Sequence, residues 1–162
     1  MAQVDYFLEI EGVPGESVDK AHKDEIEVES WSWGATQSGT STVGGGAGAG
    51  RVSIQDFNFV SHTSKASPIL FLSCASGKHI TKATLTARKS GGTQAEFLTL
   101  TMTDVLISSY QIAGSEAADT VPLDQVSLNF SKIEFKYVPQ TTSGAPGTPV
   151  SAGWDLKANK SV

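Results

Sequence analysis

Three histidines and a single cysteine are the residues best suited to binding a metal or attacking a substrate. His22, His62 and His79 lie far apart and lack the Cys/His or Asp/His spacing of a metal site. We therefore expect them to be solvated or to cap secondary structure. Cys74 lies in an apolar stretch, and no histidine stands at a nearby motif position to activate it. These residues predict neither a metal site nor a catalytic thiol.

Gly45–Val52 has the glycine spacing of a phosphate-binding loop but not its chemistry. Arg51 replaces the required lysine, Val52 replaces the hydroxyl that would hold Mg²⁺, and a strand pattern follows where a helix is needed. Ser115 lies in a Gly-Ser-Glu-Ala stretch and lacks the second glycine of a nucleophile elbow. The sequence therefore predicts no cofactor, nucleotide site or activated serine.

Two acidic pairs have the two-residue spacing of side chains that share a strand face. They are Glu9 with Glu11 and Glu27 with Glu29. A solvated or interfacial strand face explains them more simply than a pair of general acids. Because no catalytic constellation survives, an enzyme is the least supported class of function.

Trp31 and Trp33 lie two residues apart and could stack a base or a sugar. Packing in the core or at a subunit contact is the preferred interpretation, because large aromatic side chains dominate both environments. Trp154, the one large anchor of the C-terminal tail, is interpreted in the same way. A soluble carbohydrate- or peptide-binding β-module, with Trp31 and Trp33 as its platform, is the alternative function.

The tryptophans lie in a stretch that begins as a strand. From Ile26 to Trp33 the side chains alternate between two predicted faces. One face carries Ile26, Val28, Ser30 and Ser32, and the other carries Glu27, Glu29, Trp31 and Trp33.

A long loop of glycine and small polar residues follows this strand. A structureless loop of this length is usually functional or disordered. Its side chains bury too little apolar surface to offset the entropy lost on ordering. We expect it to be mobile on the isolated subunit and to order as a docking arm on another surface. The predicted arm consists of Gln37, Ser38, Gly39, Thr40, Ser41, Thr42, Val43, Gly44, Gly45, Gly46, Ala47, Gly48, Ala49 and Gly50.

Alternating patterns predict most of the remaining chain to be strands. One helix is predicted over Pro68–Ser76, capped by Ser67 and followed by Gly77; a start three residues earlier, capped by Ser64, is the alternative. A change of alternation near Ser131–Lys132 predicts a bulge or bend. The predicted strands are 6–11, two within 51–61, 81–88, 96–104, 105–112 and 126–137.

Short turns between these strands predict a single mainly β domain over residues 1–162, a closed or nearly closed β-barrel with the helix on an end or flank. A Pro-, Gly-, Ser- and Thr-rich linker is predicted at 139–149. The tail at 150–162 is expected to contribute a short edge strand.

The composition excludes several classes of protein. A formal charge of −5 argues against a nucleic-acid partner. No apolar run is long enough to span a bilayer, so no membrane insertion is expected. Met1–Tyr6 has neither the basic region nor the apolar core of a signal peptide. A single cysteine permits no intrachain disulfide, and folding in a reducing cytoplasm is expected.

Several short motifs occur in an order that resembles the haemolysin-coregulated protein (Hcp) family of type VI secretion. The similarity covers the chain from about Tyr6 to Trp154, and it is carried by the shared order and spacing. The motifs are Trp31-Ser32-Trp33-Gly34, Gln37-Ser38-Gly39, the glycine run ending at Gly50, Val52-Ser53-Ile54-Gln55-Asp56, Ser76-Gly77-Lys78-His79, Arg88-Lys89-x-Gly91-Gly92, Gln94-x-Glu96-Phe97, Val105-Leu106-Ile107-Ser108-Ser109 and Val126-x-Leu128-Asn129-Phe130.

The resemblance implies a two-sheet barrel with a flanking helix that assembles side by side into a homohexameric ring. Rings of this family stack into a hollow tube inside a contractile sheath, tipped by a spike protein. Contraction of the sheath propels the tube out of the cell. The resemblance also implies that small effector proteins are carried in the lumen, and that the subunit is cytoplasmic before firing and then secreted without a signal peptide.

Two expectations about residues follow from combining the resemblance with the patterns above. The arm at 37–50 is expected to dock on the neighbouring ring. Ser30, Ser32 and Ser115 are expected to line the lumen, where small hydroxyl side chains would hold unrelated cargo without sticking. Ordinary packing or exposure to solvent explains these three serines equally well.

Overall fold

Alternating apolar residues organise this chain into antiparallel strands around one buried core. The computed structural model describes residues 3–37, 51–90, 94–117 and 121–162. Its elements are β1 Val4–Ile10, β2 Ile26–Glu27, β3 Ser30–Ser32, β4 Ala35–Thr36, β5 Ser53–Ile54, β6 Phe57–His62, α1 Ala66–Ser76, β7 His79–Lys89, β8 Glu96–Ala113, β9 Leu123–Tyr137, β10 Val150–Asp155 and β11 Lys160–Ser161. Of the predicted arm, only Gln37 lies within the described residues.

The long strands β8 and β9 lie in one nine-stranded sheet, and β4 and β5 form a separate two-stranded sheet. The strand order β11-β10-β9-β8-β7-β1-β2 forms one path, and β9 also pairs with β6, which in turn pairs with β3. Residues 123–128 of β9 pair with β6, whereas residues 132–137 pair with β10. The mainly β, two-sheet architecture with one flanking helix is therefore confirmed. Strand pairing among the described residues does not close into a complete barrel.

The predicted change of alternation in β9 is present. The buried positions run to Phe130 and resume at Ile133. Opposite this point, Asp104 of β8 adopts a positive φ of 57° and accepts a hydrogen bond from Ser131 Oγ at 3.2 Å. β8 nevertheless continues through the bend, because its pairing with β9 resumes at Val105. The prediction of two separate strands, 96–104 and 105–112, was wrong.

The stretch from Ile26 to Trp33 is not one strand, as predicted, because it changes partner midway. β2 pairs with β1, and Val28 N–H still donates to Tyr6 O on β1 at 3.0 Å. The next residue, Glu29, donates its N–H to Val60 O on β6 at 2.8 Å, and β3 continues that pairing. This short segment connects β2, at one end of the strand path, to the branch formed by β6 and β3.

The change of partner also reverses the faces of the segment. Val28 is buried on one side of the break, whereas beyond it Trp31 packs against the core and Ser30 and Ser32 are exposed. The predicted common face for Ile26, Val28 and the two serines was therefore wrong. That Trp31 lies on the core side agrees with its predicted packing role.

The helix begins nearer the alternative start than the preferred one. Ala66 N–H donates to Ser64 Oγ at 3.2 Å, and Ser64 N–H donates to Ser67 Oγ at 3.0 Å. Ser67 therefore lies inside the helix rather than at its cap. The predicted exit is confirmed, because Gly77 adopts a left-handed φ of 64° and donates its N–H to Cys74 O.

The C-terminal tail forms the predicted strand as β10, which pairs with β9 from Val150 to Asp155, and the two-residue β11 pairs with its end at the edge of the sheet. The predicted linker before it is a hydrogen-bonded turn. Thr141 N–H donates to Ala145 O at 2.8 Å, and Gly147 N–H donates to Pro139 O at 2.7 Å.

Candidate functional site

The outward face of β3, β6, β9 and the second half of β8 is polar and almost uncharged. Strand register aligns its exposed or half-buried side chains in two rows that run across all four strands. One row consists of Ser32, Asn58, Ser127 and Ser109, and the other of Ser30, Val60, Gln125 and Gln111. We refer to these eight residues as the polar face.

Charged groups lie only at the margins of the polar face. At one margin, Glu29 and His62 approach to 3.1 Å. At the other, the Asp56 carboxylate accepts hydrogen bonds from Ser108 Oγ at 2.7 Å and Asn129 Nδ2 at 2.9 Å. The centre of the face therefore offers hydroxyls and amides, which bind weakly and without preference for the sign of a ligand's charge.

The polar face ends in two strand edges that no described strand covers. β3 pairs on one side with β6, and its other side has no partner among the described residues. β8 pairs with β7 only as far as Leu106, so the outer edge of 109–113 is likewise free in the described part of the chain. Unpaired strand edges are templates for pairing with another chain.

The fold brings together two of the three serines that the sequence analysis expected to line the lumen. Ser30 and Ser32 lie side by side on the polar face. Ser115 is exposed in the loop after β8, beyond the two cross-strand rows. The fold therefore groups two of the three serines on β3 and places the third just beyond the end of β8.

A second surface feature is an apolar groove between β4–β5 and the end of the β9–β10 pair. It has a volume of about 440 Å³ and includes Trp33, Ile54, Ile133, Phe135 and Trp154 in its walls. Trp33 packs against Phe135 with ring centroids 6.2 Å apart.

The two neighbouring tryptophans of the sequence have different surroundings. Trp31 packs between Tyr6 and Phe57, at centroid distances of 5.9 and 6.0 Å, whereas Trp33 lies in the groove with Trp154. Trp31 and Trp33 therefore do not form one flat platform for a sugar or base.

His22 is buried, so its predicted solvated role was wrong. Its ring nitrogens lie 2.8 Å from Glu25 and 2.8 Å from Glu96, and its ring stacks on Phe7 at a centroid distance of 4.4 Å. Burial raises the pKa of the Glu25 carboxyl, while the hydrogen bond with His22 opposes that rise. The side chains of His62 and His79 are 45% and 72% exposed, as expected.

An ion pair next to His22 was also missed from the sequence. The side chain of Arg88 is buried, and its guanidinium carbon lies 4.9 Å from the centroid of the Phe7 ring. The guanidinium donates two hydrogen bonds to the Asp19 carboxylate, at 2.9 and 2.6 Å. This bidentate contact holds the pKa of Asp19 well below its usual range. No local sequence pattern indicates that Asp19 and Arg88 form an ion pair, because the two residues are distant in the sequence.

The polar residues of β6 and β9 were missed as candidates for the lumen, although a signal was present. Asn58 alternates with Phe57 and Phe59, and Gln125 and Ser127 alternate with buried apolar residues of β9. Uncharged polar residues on the exposed face of several strands are a pattern that the sequence could have revealed.

The described residues offer neither a cluster of metal ligands nor a helix that could span a membrane. They contain no group of three His, Cys, Asp or Glu residues that could hold a metal ion. No helix among them is long and apolar enough to cross a membrane.

Comparison with known proteins gives consistent matches over almost the whole chain. Residues 7–137 match the family model described as type VI secretion system effector, Hcp. The protein hcp1 of Pseudomonas aeruginosa is 49% identical over 158 residues, covering 96% of this chain and 97% of that protein. The crystal structure of Hcp1 from Salmonella typhimurium is 39% identical, with a TM-score of 0.81 and full coverage of both chains. A structure described as a type six secretion system protein is 26% identical, with a TM-score of 0.93, covering 99% of this chain and all of the other.

Proposed function

The chain belongs to the Hcp family of type VI secretion proteins, and we propose that it acts as a tube subunit that closes into hexameric rings through the two free edges of its polar face. The observation that carries this proposal is that one uncharged surface is bounded on both sides by strand edges without a partner among the described residues. The surface would face the lumen, and the edges would join neighbouring subunits.

The directions of the strands suit ring closure. β3, β6, β9 and β8 alternate in direction, so β8 runs antiparallel to β3. In a cyclic ring every copy keeps the same orientation relative to the axis. The 109–113 edge of one subunit would therefore meet the β3 edge of the next in the antiparallel sense, and the sheet would continue around the ring. Six subunits is the number that the family resemblance implies.

The chemistry of the polar face suits a lumen that carries different proteins. A wall of Ser, Asn and Gln side chains, with Val60 as its one apolar member, neither attracts nor repels a cargo by charge, and it offers little apolar area for tight binding. Small effector proteins would then be held by confinement rather than by a specific pocket. Ser115 would extend this wall at the end of β8.

Stacked rings would form the tube inside a contractile sheath, with a spike protein at its tip. The arm at 37–50 would dock each ring on the next, and its ordering entropy would keep each contact weak enough for the tube to come apart. In this role the subunit is cytoplasmic before firing and leaves the cell as part of the tube.

The measured mass in solution and electron micrographs test this proposal. The purified protein should sediment as a ring of six, with a central hole visible end-on. Deleting Thr40–Ala49 should leave rings but abolish tubes. A protein that stays a single subunit at high concentration would refute ring formation, and normal tubes from the deletion variant would refute the role of the arm.

A further inference from the structure

The apolar groove contains two hydrogen-bond donors that lack acceptors. The indole N–H groups of Trp33 and Trp154 are both shielded from water, and neither has an acceptor among the described residues. Both side chains belong to the walls of the groove. A buried donor without a partner is rare and costs stability, so two in one groove point to a missing partner that supplies acceptors.

The walls of the groove define what this partner must be. Ile54, Ile133 and Phe135 offer apolar contacts and no charge, while the two indoles require oxygen acceptors. The groove is open along Ala35 and Ala152, which are exposed. A modest rotation of each indole would present its N–H to a backbone carbonyl entering there. The matching ligand is an extended peptide with accessible carbonyls and small, apolar side chains.

One segment of this chain has that composition. Residues 38–50 contain Val43, Ala47 and Ala49 among glycines and small hydroxyl residues. Glycine leaves the backbone carbonyls uncovered, and alanine allows close approach to an aromatic wall. We propose that the arm of a second copy docks in this groove and accepts hydrogen bonds from Trp33 and Trp154. This proposal rests on the proposed function and specifies the receptor for the arm.

The position of the arm's ends favours a second copy over the same chain. Ala35 pairs with Ile54 and Thr36 with Ser53, so the strands that carry the arm are tied together and form one wall of the groove. The chain's own arm would have to fold back over that wall. A contact from an arm on one copy to a groove on another is heterologous, and such contacts build open filaments when they do not close. Stacking rings into a tube requires that geometry.

The length of the arm is sufficient for this contact. The thirteen residues 38–50 span roughly 45 Å when fully extended, so a loop that leaves and returns to one base reaches about 20 Å. A groove on a neighbouring copy is therefore within reach when it lies within about 20 Å of that base.

Disulfide trapping between separately prepared rings tests the proposal directly. In a Cys74→Ser background, one preparation carries Ala152→Cys in the groove and the other carries Ala47→Cys in the arm. Because each chain has one cysteine, any disulfide between the two preparations joins different copies. We expect a cross-linked dimer on a non-reducing gel when the mixed rings form tubes. Lys23→Cys, in an exposed loop away from the groove, is the matched control and should give no dimer with Ala47→Cys.

The outcomes separate this proposal from the proposed function. Tubes that form without a dimer, with Val43→Cys and Ala49→Cys also negative, would overturn groove docking and leave the tube intact as a function. Failure to form rings or tubes at all would instead refute the proposed function, on which the inference depends.

Removing the donors gives a second, independent test. Trp33→Phe and Trp154→Phe keep an aromatic wall but delete the N–H, so each should weaken ring stacking about three- to tenfold while rings persist. Trp31→Phe deletes an indole that packs against the core instead of the groove, and stacking should be unchanged. Unchanged stacking in both groove variants would overturn the proposal.

Discussion

His22 is held between two carboxylates, one near to it in the sequence and one far from it. Its Nδ1 lies 2.8 Å from Glu25 in the same loop, and its Nε2 lies 2.8 Å from Glu96 at the start of β8. A neutral imidazole can donate from only one nitrogen. Both contacts are therefore hydrogen bonds only when the group of three carries an additional proton, and together they clamp the 16–25 loop to β8.

Replacing His22 by leucine should destabilise the fold. The Glu25 side chain is 12% exposed and would lose its hydrogen-bond partner, and the 16–25 loop would lose its link to Glu96. We expect the free energy of unfolding to fall by about 2–3 kcal/mol, measured by urea denaturation. The matched variant His79→Leu, at a side chain that is 72% exposed, should change it by no more than about 0.5 kcal/mol. Equal effects of the two variants would contradict the clamp.

Glu25 should make stability fall as the pH rises. Burial raises the pKa of its carboxyl above 4.5, so the folded state holds this proton more tightly than the unfolded chain does. Its contribution to stability is complete below pH 4.5 and is lost as the pH rises through the raised pKa. The free energy of unfolding of the wild type should therefore decrease relative to that of Glu25→Gln as the pH rises from below 4.5 through the raised pKa. Parallel pH profiles for the two proteins would contradict this prediction.

A charge at the free edge of β8 should block the ring. Ile112 is 50% exposed and lies within the unpaired edge at 109–113. Lysine on an edge strand opposes pairing with another strand, because pairing would bury the charge. Ile112→Lys should therefore sediment as a single subunit with an unchanged far-ultraviolet circular dichroism spectrum. Val150→Lys, at a side chain that is 67% exposed on β10, is the control and should still form rings.

Charge on the polar face should reduce cargo loading without affecting assembly. Gln125 lies on β9, an inner strand of this face, and is exposed. Glutamate there would repeat around the lumen of the ring and would repel acidic cargo, so Gln125→Glu should lower the amount of effector recovered with purified rings by about tenfold. Ser115→Glu should have a similar but smaller effect. Ser151→Glu, at an exposed serine on β10, should leave recovery unchanged.

The sequence predicted features that depend on neighbours along the chain. The helix exit at Gly77, the change of alternation after Phe130 and the strand at 150–155 follow from local residue types, and the structure contains all three. The family was also identified from the order of short motifs. The three structural signals each lie within a window of a few residues, and the family signal lies in the order of such windows along the chain, so no knowledge of the tertiary fold was needed.

The tertiary structure decided features that depend on which distant strand supplies a hydrogen bond. Alternation between Ile26 and Trp33 is regular in the sequence, yet the partner changes from β1 to β6 at Val28–Glu29 and the faces reverse there. Partner identity leaves no trace in a local pattern, because each backbone offers the same donors and acceptors to every neighbour.

Contacts between distant segments also decided which polar side chains are buried. His22 becomes a buried clamp only because Glu96, seventy-four positions away, reaches it across the fold. The sequence by itself determined the strand pattern, the helix exit and the family of this protein. Only the tertiary structure determined which serines share the polar face, which tryptophans line the groove and where β8 ends in a free edge, because these depend on strand register between segments far apart in the chain.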